Sequence, residues 1–419
     1  MNKDIIKRII IENQERIPGL EIYDRKTAFD KNANFIVTGQ RRAGKTFLLY
    51  RLIQKLVAES GDKNAFLYIN FEDERLLEFK VTDFEIVLES YRELFDRLPV
   101  LFIDEIQNID GWEKYVRRLA DTQFRLYVTG SNATMLSREM ASTLGGRFIV
   151  KEIDTLSFSE FLVFNNVVPG KNFKFTDQRF EIKKLFDDWF YHGGFPELLK
   201  YQDKKEYLNT IFQKVFLGDI VSRYQLRNRF ALNLMIKKLA ESTMDEVSFN
   251  RIKNIIQSAG VKVGISTLIE YVGYLQDSFL IRSAVNYNKK ITERETKRKY
   301  YFRDHGLLGL FLHNPESVLL ETLVFNHLSR NYPDNVYYLR ENYEVDFYVP
   351  ERKLVQVCYL LSPVETRDRE IKALVMATQR MQVQELLIIT MDHEETIREG
   401  ETEIKVIPAW KWLLEDQAT

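Results

Sequence analysis

Gly39, Gly44, Lys45 and Thr46 fit the spacing G-x-x-x-x-G-K-[ST] within NFIVTGQRRAGKTFLLYRLIQKLV (34–57). Each residue type has a chemical reason. The glycines let backbone N–H groups curl around phosphate oxygens at a helix N-terminus. Lys45 brings a point charge to the β- and γ-phosphates, and the Thr46 hydroxyl can ligate Mg²⁺. The whole stretch Gly39, Gln40, Arg41, Arg42, Ala43, Gly44, Lys45, Thr46 and Phe47 would then wrap a nucleotide, with Arg41 and Arg42 either adding positive potential or facing solvent. A second piece is required for hydrolysis, and PVLFIDEIQNI (99–109) offers it. Asp104 can hold Mg²⁺ through water, and Glu105 can orient or deprotonate the attacking water.

These residues need a scaffold that places them together. Phe35-Ile36-Val37 reads as a strand, and Leu48, Leu49, Leu52, Ile53 and Leu56 recur at helical spacing after the loop. Val100 to Ile103 is a buried-strand run ending at Asp104, and ligands bind at the carboxyl ends of such strands. NAFLYINFED (64–73) and RLYVTGSNA (125–133) read as flanking strands. Thr129, Ser131 and Asn132 end the second of these, and Ser131 or Asn132 is the expected γ-phosphate sensor; the alternative is a plain Gly-Ser-Asn turn. Arg147 either senses γ-phosphate, in the same chain or from a neighbouring subunit, or is a surface residue.

Composition narrows the setting. The chain has 419 residues, 45% hydrophobic and 29% charged, enough for real cores in about three domains. A formal net charge of −1 gives no global field toward nucleic acid, so DNA contact requires a local patch. One cysteine excludes an internal disulfide and a Cys-rich zinc site and fits a reducing cytoplasm. MNKDIIKRIIIENQ is an amphipathic helix pattern, not a signal peptide, and no run approaches the ~18 apolar residues of a membrane span. The expectation is a cytoplasmic protein without membrane contact.

TGQRRAGKT, YINFEDERL, LFIDEIQNIDGWEKYVRRLAD and YVTGSNATMLSREMASTLGGRF together resemble the AAA+-type P-loop ATPases of an archaeal and bacterial group that carries a C-terminal domain of unknown function. The resemblance extends over nearly the whole chain. It implies an α/β fold with a parallel sheet, ATP rather than GTP, and Mg²⁺ as cofactors. No Asn-Lys-x-Asp loop for guanine is present. The expected layout is an ATPase domain at 1–155, a helical lid at 156–225, a winged helix-turn-helix at 226–300 and a nuclease-like α/β domain at 301–419.

In the lid, SFSEFLVF (157–164) carries a capping pair, Ser157 with Glu160. His192, Gly193 and Gly194 read best as turn geometry. Residues 226–303 read as three helices and a hairpin, with Ser266 capping a third helix at Thr267–Asp277, and the resemblance supports a winged helix. That third helix carries Glu270 and Asp277 and is poor in bases, against tight groove readout. The hairpin gathers Lys289, Lys290, Arg294, Lys297, Arg298 and Lys299, which either contact DNA phosphates or form a solvated wing that packs between domains.

YEVDFYVPERKLVQVCYLL (343–361) reads as two strands joined by a turn, after a helix bearing Glu321. This order resembles the restriction-endonuclease-like fold of PD-(D/E)XK nucleases, and related ATPases end in a similar domain that reads E-V-D-F and then I-E-V-K. Glu321 and Asp346 match the carboxylates of that site. Gln356 stands where a second acid belongs, and Cys358 stands where lysine belongs. Glu344 shares a face with Asp346 and could replace the missing acid. No nearby lysine clearly replaces Cys358, since Lys353 lies in the turn and Arg340 at a strand end, and Cys358 reads as a core residue. The site is therefore expected to be degenerate. The function expected is ATP binding and hydrolysis that moves the winged helix and nuclease-like module on DNA or a protein partner, with homo-oligomers possible. The alternatives are an active ATP-dependent metal nuclease and an ATP-latched scaffold with little turnover.

Overall fold

The computed structural model describes residues 1–122, 124–131, 144–400 and 402–416. The chain forms two compact units, Met1–Thr155 with Asp277–Phe279, and Leu156–Gln276 with Leu280–Thr419. In the first, strands β1 (Asn34–Gly39), β2 (Phe66–Asn70), β3 (Val100–Asp104), β4 (Leu126–Gly130) and β5 (Phe148–Ile153) make a parallel sheet in the order β2-β3-β4-β1-β5. Both faces of β1 to β4 are largely buried, as expected for parallel strands, whereas the edge strand β5 is mostly exposed or half-buried. Leu67, Ile69, Leu101 and Ile103 pack with Ile6 and Ile9 of helix α1 (Lys3–Arg16), Val87 of α3 (Phe84–Phe95) and Val116 of α4 (Trp112–Asp121). The alternate residues Phe66, Tyr68, Phe102 and Tyr127 pack with Leu49, Tyr50 and Ile53 of α2 (Lys45–Ser60). The register places Asn70 beside Asp104, Ile103 beside Val128 and Thr38 beside Gly130, so the strand C-termini share one edge.

The second unit begins with helix Phe158–Phe164, whose capping box joins Ser157 and Glu160 in both directions. Helices Gln178–His192 and Lys204–Lys214 follow, the latter continuing as a π-helical segment, Val215–Ser222. Helices Arg229–Glu241, Phe249–Ser258 and Ile265–Asp277 then lead to the antiparallel pair β6 (Ile281–Val285) and β7 (Arg298–Phe302). Two details differ from the sequence reading. The third helix starts at Ile265, so Ser266 lies in its first turn, not at its cap. The connection from β6 to β7 contains a short helix, Ile291–Thr296.

The unit closes with a mixed sheet of β8 (Tyr337–Arg340), β9 (Glu344–Val349), β10 (Lys353–Cys358), β11 (Glu385–Thr390), β12 (Glu395–Glu399) and β13 (Thr402–Pro408), in the order β12-β13-β11-β10-β9-β8. Helices Glu316–Asn331, Val364–Thr378 and Ala409–Glu415 pack against it. Strand β12, ETIRE, was not anticipated; it is a charged edge strand with few apolar residues to announce it. The β6–β7 pair joins the sheet at β8: Tyr287 N–H donates to the Tyr338 carbonyl at 3.0 Å, and Asn286 Nδ2 donates to the Arg340 carbonyl at 2.9 Å. Strand β7 runs across residue 300, where the sequence reading separated two domains.

The turn His192-Gly193-Gly194 meets Asp304 of this unit. The Gly194 N–H donates to Asp304 Oδ2 at 2.9 Å, while Asp304 Oδ1 accepts from the N–H groups of Gly306 and Leu307. A Cβ on Gly306 would lie 2.0 Å from the His192 carbonyl oxygen, so the two turns can interlock only with glycine there.

Candidate nucleotide site and the C-terminal carboxylate cluster

The loop 39–46 runs from the end of β1 into α2, with Gly44 at the helix cap in a left-handed conformation (φ 96°). Gly39 is fixed by its neighbour strand. Its φ is 140°, and a Cβ would lie 2.0 Å from the Ile153 carbonyl oxygen of β5. Lys45 is buried and donates from Nζ to the carbonyls of Gly39 (3.0 Å) and Gln40 (3.1 Å). The buried Gln40 amide has no hydrogen-bond partner among the described residues, the kind of orphan that a bound ligand relieves. Arg41 pairs with Glu72 at 2.8 Å, and Arg42 is exposed with φ 60°. Ala43 is buried, whereas Phe47 is half exposed on the first turn of α2. Arg25 donates to the Ala43 carbonyl at 2.8 Å and to the Asp154 carbonyl at 3.0 Å, tying the loop to the chain beyond β5.

Asp104 is the hub. Its Oδ2 accepts from Thr46 Oγ1 and from the Tyr68 hydroxyl, both at 2.8 Å, and its Oδ1 accepts from Thr129 Oγ1. Burial and then the neighbouring Glu105 hold the Asp104 carboxyl above the ordinary range, against the pull of these hydroxyls. Glu105 turns out of β3 with φ 53°, and its N–H donates to Thr129 Oγ1 at 3.0 Å. Such a left-handed residue costs about 1–3 kcal/mol and is held by its surroundings. Gln107 Nε2 donates to Glu105 Oε2 and reaches Ser131 Oγ at 3.4 Å. Thus Lys45, Thr46, Asp104, Glu105 and Ser131 converge at one edge of the sheet. Asn132 lies outside the described residues.

Arg147 does not join them. Phe148 pairs with Asn34 and Ile153 with Gly39, so Arg147 lies at the far end of β5. At about 3.3 Å per residue that is about 20 Å from the loop. Its guanidinium pairs with Asp121 and bonds to the carbonyls of Leu144 and Gly145. A sensing role for Arg147 within its own chain is corrected by this register.

Sequence reasoning missed Tyr68, Gln107 and Arg25. Tyr68 was hidden in an apolar run, where only its position on the α2 face of β2 would have marked it. Gln107 follows the Asp-Glu pair by two residues and carries no motif of its own. Arg25 reaches the loop through tertiary structure alone.

In the second unit, Glu321, Asp346, Gln356 and Cys358 gather, with one unexpected member. Lys299, expected as a DNA contact, is buried on β7 with a side chain only 1% exposed. Its Nζ lies 3.0 Å from Glu344 Oε1 and 3.9 Å from Glu321 Oε1. The Tyr301 hydroxyl, two residues on, donates to Glu321 Oε1 at 2.7 Å. Burial works against the Lys299 charge, but Glu321, Asp346 and Glu344 outweigh it and raise its pKa. Burial also holds the carboxyls of Glu321 and Asp346 above their ordinary range. The DNA-contact reading of Lys299 is therefore overturned: alternation along β7 turns it inward with Tyr301.

Gln356 is not a vacant ligand position either. Its Oε1 accepts from the Asp346 N–H at 2.8 Å and its Nε2 donates to the Glu344 carbonyl at 3.0 Å, replacing ladder bonds where β9 and β10 diverge. Asp346 Oδ2 accepts from the Val357 N–H at 2.8 Å. Among the described residues, no group of three or more His, Cys, Asp or Glu side chains is placed to hold a metal. Cys358 is buried and its thiol donates to the Leu360 carbonyl. Burial and then Glu370 push that thiol up to about 11. Iodoacetamide should therefore leave Cys358 unmodified in the folded chain at pH 8 and alkylate it in urea, as read by intact mass. Rapid alkylation of the folded chain would contradict this environment.

The remaining basic residues also separate. Lys290 and Lys297 are exposed, and Lys289 is partly buried, 3.9 Å from Glu293. Arg298 is partly buried and donates to the Arg294 carbonyl (3.1 Å) and to Ser283 Oγ (3.2 Å). No helix of the described residues is long and apolar enough to cross a membrane.

Comparison with known proteins agrees with the first unit's geometry. Residues 31–162 match the family described as AAA domain, and this segment is an AAA-type P-loop ATPase domain. Residues 183–317 match a domain of unknown function, DUF8612. The chain belongs to the family of an uncharacterized protein of Methanocaldococcus jannaschii, to which it is 32% identical over 98% of its own length and 96% of that protein. An uncharacterized protein of Haemophilus influenzae is 28% identical over 92% of this chain and 96% of its own. Among solved structures, a Walker-type ATPase of Pyrococcus abyssi aligns with 74% of this chain and 95% of its own at 14% identity and a TM-score of 0.37. The Aeropyrum pernix ORC1 protein in complex with DNA aligns with 74% of this chain and 91% of its own at 12% identity and a TM-score of 0.31. Likenesses at these scores carry no argument about function.

Proposed function

We propose that the chain binds Mg·ATP at Gly39–Phe47 and hydrolyses it, and that turnover repositions its C-terminal unit on DNA or a protein partner. The observation that carries this reading is the convergence of Lys45, Thr46, Asp104 and Glu105 at one sheet edge. Thr46 and Asp104 would hold Mg²⁺; their oxygens are 2.8 Å apart, and a buried carboxylate with hydroxyl partners suits a hydrated hard cation. The metal, when bound, neutralises charge on the β- and γ-oxygens. Lys45 exchanges the Gly39 and Gln40 carbonyls for phosphate oxygens. Glu105, steadied by Gln107, orients the attacking water and takes its proton. Ser131 lies beside Gln107 and is the proposed sensor, with Asn132 the alternative. Arg147 retains only the proposal of acting on a neighbouring subunit, which would require a homo-oligomer.

The domain scheme follows the same reading: an ATPase domain through residue 155, a helical lid, a winged helix and a nuclease-like domain, with β7 shared between the last two. Lys290 and Lys297 are the exposed cations available to DNA phosphates. The single cysteine supports a cytoplasmic setting. The C-terminal module is proposed to be degenerate, because Lys299 already compensates Glu321 and Glu344, and Gln356 is engaged with backbone. This argues against the nuclease alternative. Phosphate release by the full chain, with and without single- and double-stranded DNA, tests the partner. Stimulation that fades with added salt supports DNA. No stimulation, with binding indifferent to salt, would redirect the proposal to a protein partner.

A further inference from the structure

The nucleotide site has an outer end that precedes the matched AAA segment, which begins at residue 31. Arg16, in the last turn of α1, donates from Nη2 to the Tyr50 hydroxyl at 2.8 Å. The Tyr50 hydroxyl donates to the Tyr68 hydroxyl at 3.3 Å, and the Tyr68 hydroxyl donates to Asp104 Oδ2 at 2.8 Å. The chain has one direction: a guanidinium that can only donate, two phenols that each accept and donate, and a carboxylate that only accepts. Its members come from α1, α2, β2 and β3. The Arg16 guanidinium also lies 5.1 Å from the Tyr50 ring centroid, and the two tyrosine rings meet edge to face at 5.1 Å. The outer end opens on a cleft of about 830 Å³ lined by Glu12, Asn13, Arg16, Glu72 and Arg75.

We propose that Tyr68 is a positioning residue for Asp104, and that Arg16, acting through Tyr50, makes the N-terminal helix part of the metal–nucleotide site. The proposal rests on the Mg·ATP reading and deepens it. Thr46 and Tyr68 share the same carboxylate oxygen. Thr46 is the residue expected to turn its oxygen toward the metal, so Tyr68 is the contact that keeps Oδ2 aimed while that happens. Chains of this kind polarise along their length, so the charge at Arg16 strengthens the hydrogen bond that Tyr68 donates to Asp104.

Calorimetric titration of the full chain with a non-hydrolysable ATP analogue, in Mg²⁺ and in EDTA, tests it. Tyr68→Phe keeps the ring in its packing. It should weaken binding in Mg²⁺ about tenfold, the weight of one hydrogen bond to a charged group, and leave binding in EDTA unchanged. Arg16→Met should give a smaller loss of the same kind, which Arg16→Lys restores in part. In an Asp104→Asn background, Tyr68→Phe should add little, because the two act as one unit. Equal weakening in Mg²⁺ and EDTA, or no weakening in either, would overturn the proposal while Lys45→Ala still abolishes binding. Unchanged binding by Lys45→Ala would instead remove the nucleotide reading, and this proposal with it.

Discussion

Lys299→Met lowers the unfolding free energy by about 3–5 kcal/mol, because it leaves buried carboxylates without their cation. The side chains of Lys299 and Glu321 are each only 1% exposed, so solvent does little to screen that pair, whereas the nearer Glu344 is 41% exposed and adds less. Equilibrium unfolding in urea measures it. The same experiment at lower pH supplies the sign. Glu321 and Asp346 already have raised carboxyl pKa values in the folded chain, and removing Lys299 raises them further. A group raised on folding binds its proton more readily in the folded state, so the variant regains stability as pH falls below those raised values. The deficit should therefore be largest at neutral pH and shrink on acidification. A deficit below about 1 kcal/mol at pH 7, or one that grows on acidification, would mean that Lys299 does not balance the cluster.

If Glu105 is the general base of the proposed hydrolysis, Glu105→Gln should lower ATP turnover by about 10²–10⁴-fold while Mg·ATP still binds. The amide keeps the shape of the side chain and can still meet Gln107, so the strained turn after β3 should persist. Single-turnover hydrolysis separates this from a binding defect. The outcome also decides between a machine and a latch. If the biological activity survives Glu105→Gln but not Lys45→Ala, ATP binding alone matters. If both variants are equally inactive, the latch fails.

The nucleotide site was legible where chemistry is local in sequence. Gly39 to Thr46 lies within one strand–loop–helix, and Asp104-Glu105 ends an apolar run. Thr129 and Ser131 follow another such run, so the same strand-end logic reached them. Tyr68 and Arg16 were not legible, because their role exists only when β2 and α1 lie against β3 and α2. Arg147 stands between a sensing role and a surface position, because sequence alone does not show which end of β5 it occupies; the parallel register places it at the end away from the loop. The C-terminal cluster shows the same limit in reverse. Glu321, Asp346, Gln356 and Cys358 were grouped through the nuclease resemblance and do lie together, but the lysine beside them was not foreseen. Lys299 was counted with the basic run around it, since charge density does not reveal which residue of a strand turns inward. Its spacing of two from Tyr301 was the available signal. The Gln356 amide appeared to be a missing ligand because its partners are the backbone of another strand.

The most direct test of the central claim is single-turnover phosphate release from Mg·ATP by the purified full chain beside Lys45→Ala. The wild-type chain should release phosphate, with or without a stimulating partner, and Lys45→Ala should release none. Equal release by the two proteins, or no binding of Mg·ATP by the wild-type chain, would contradict it.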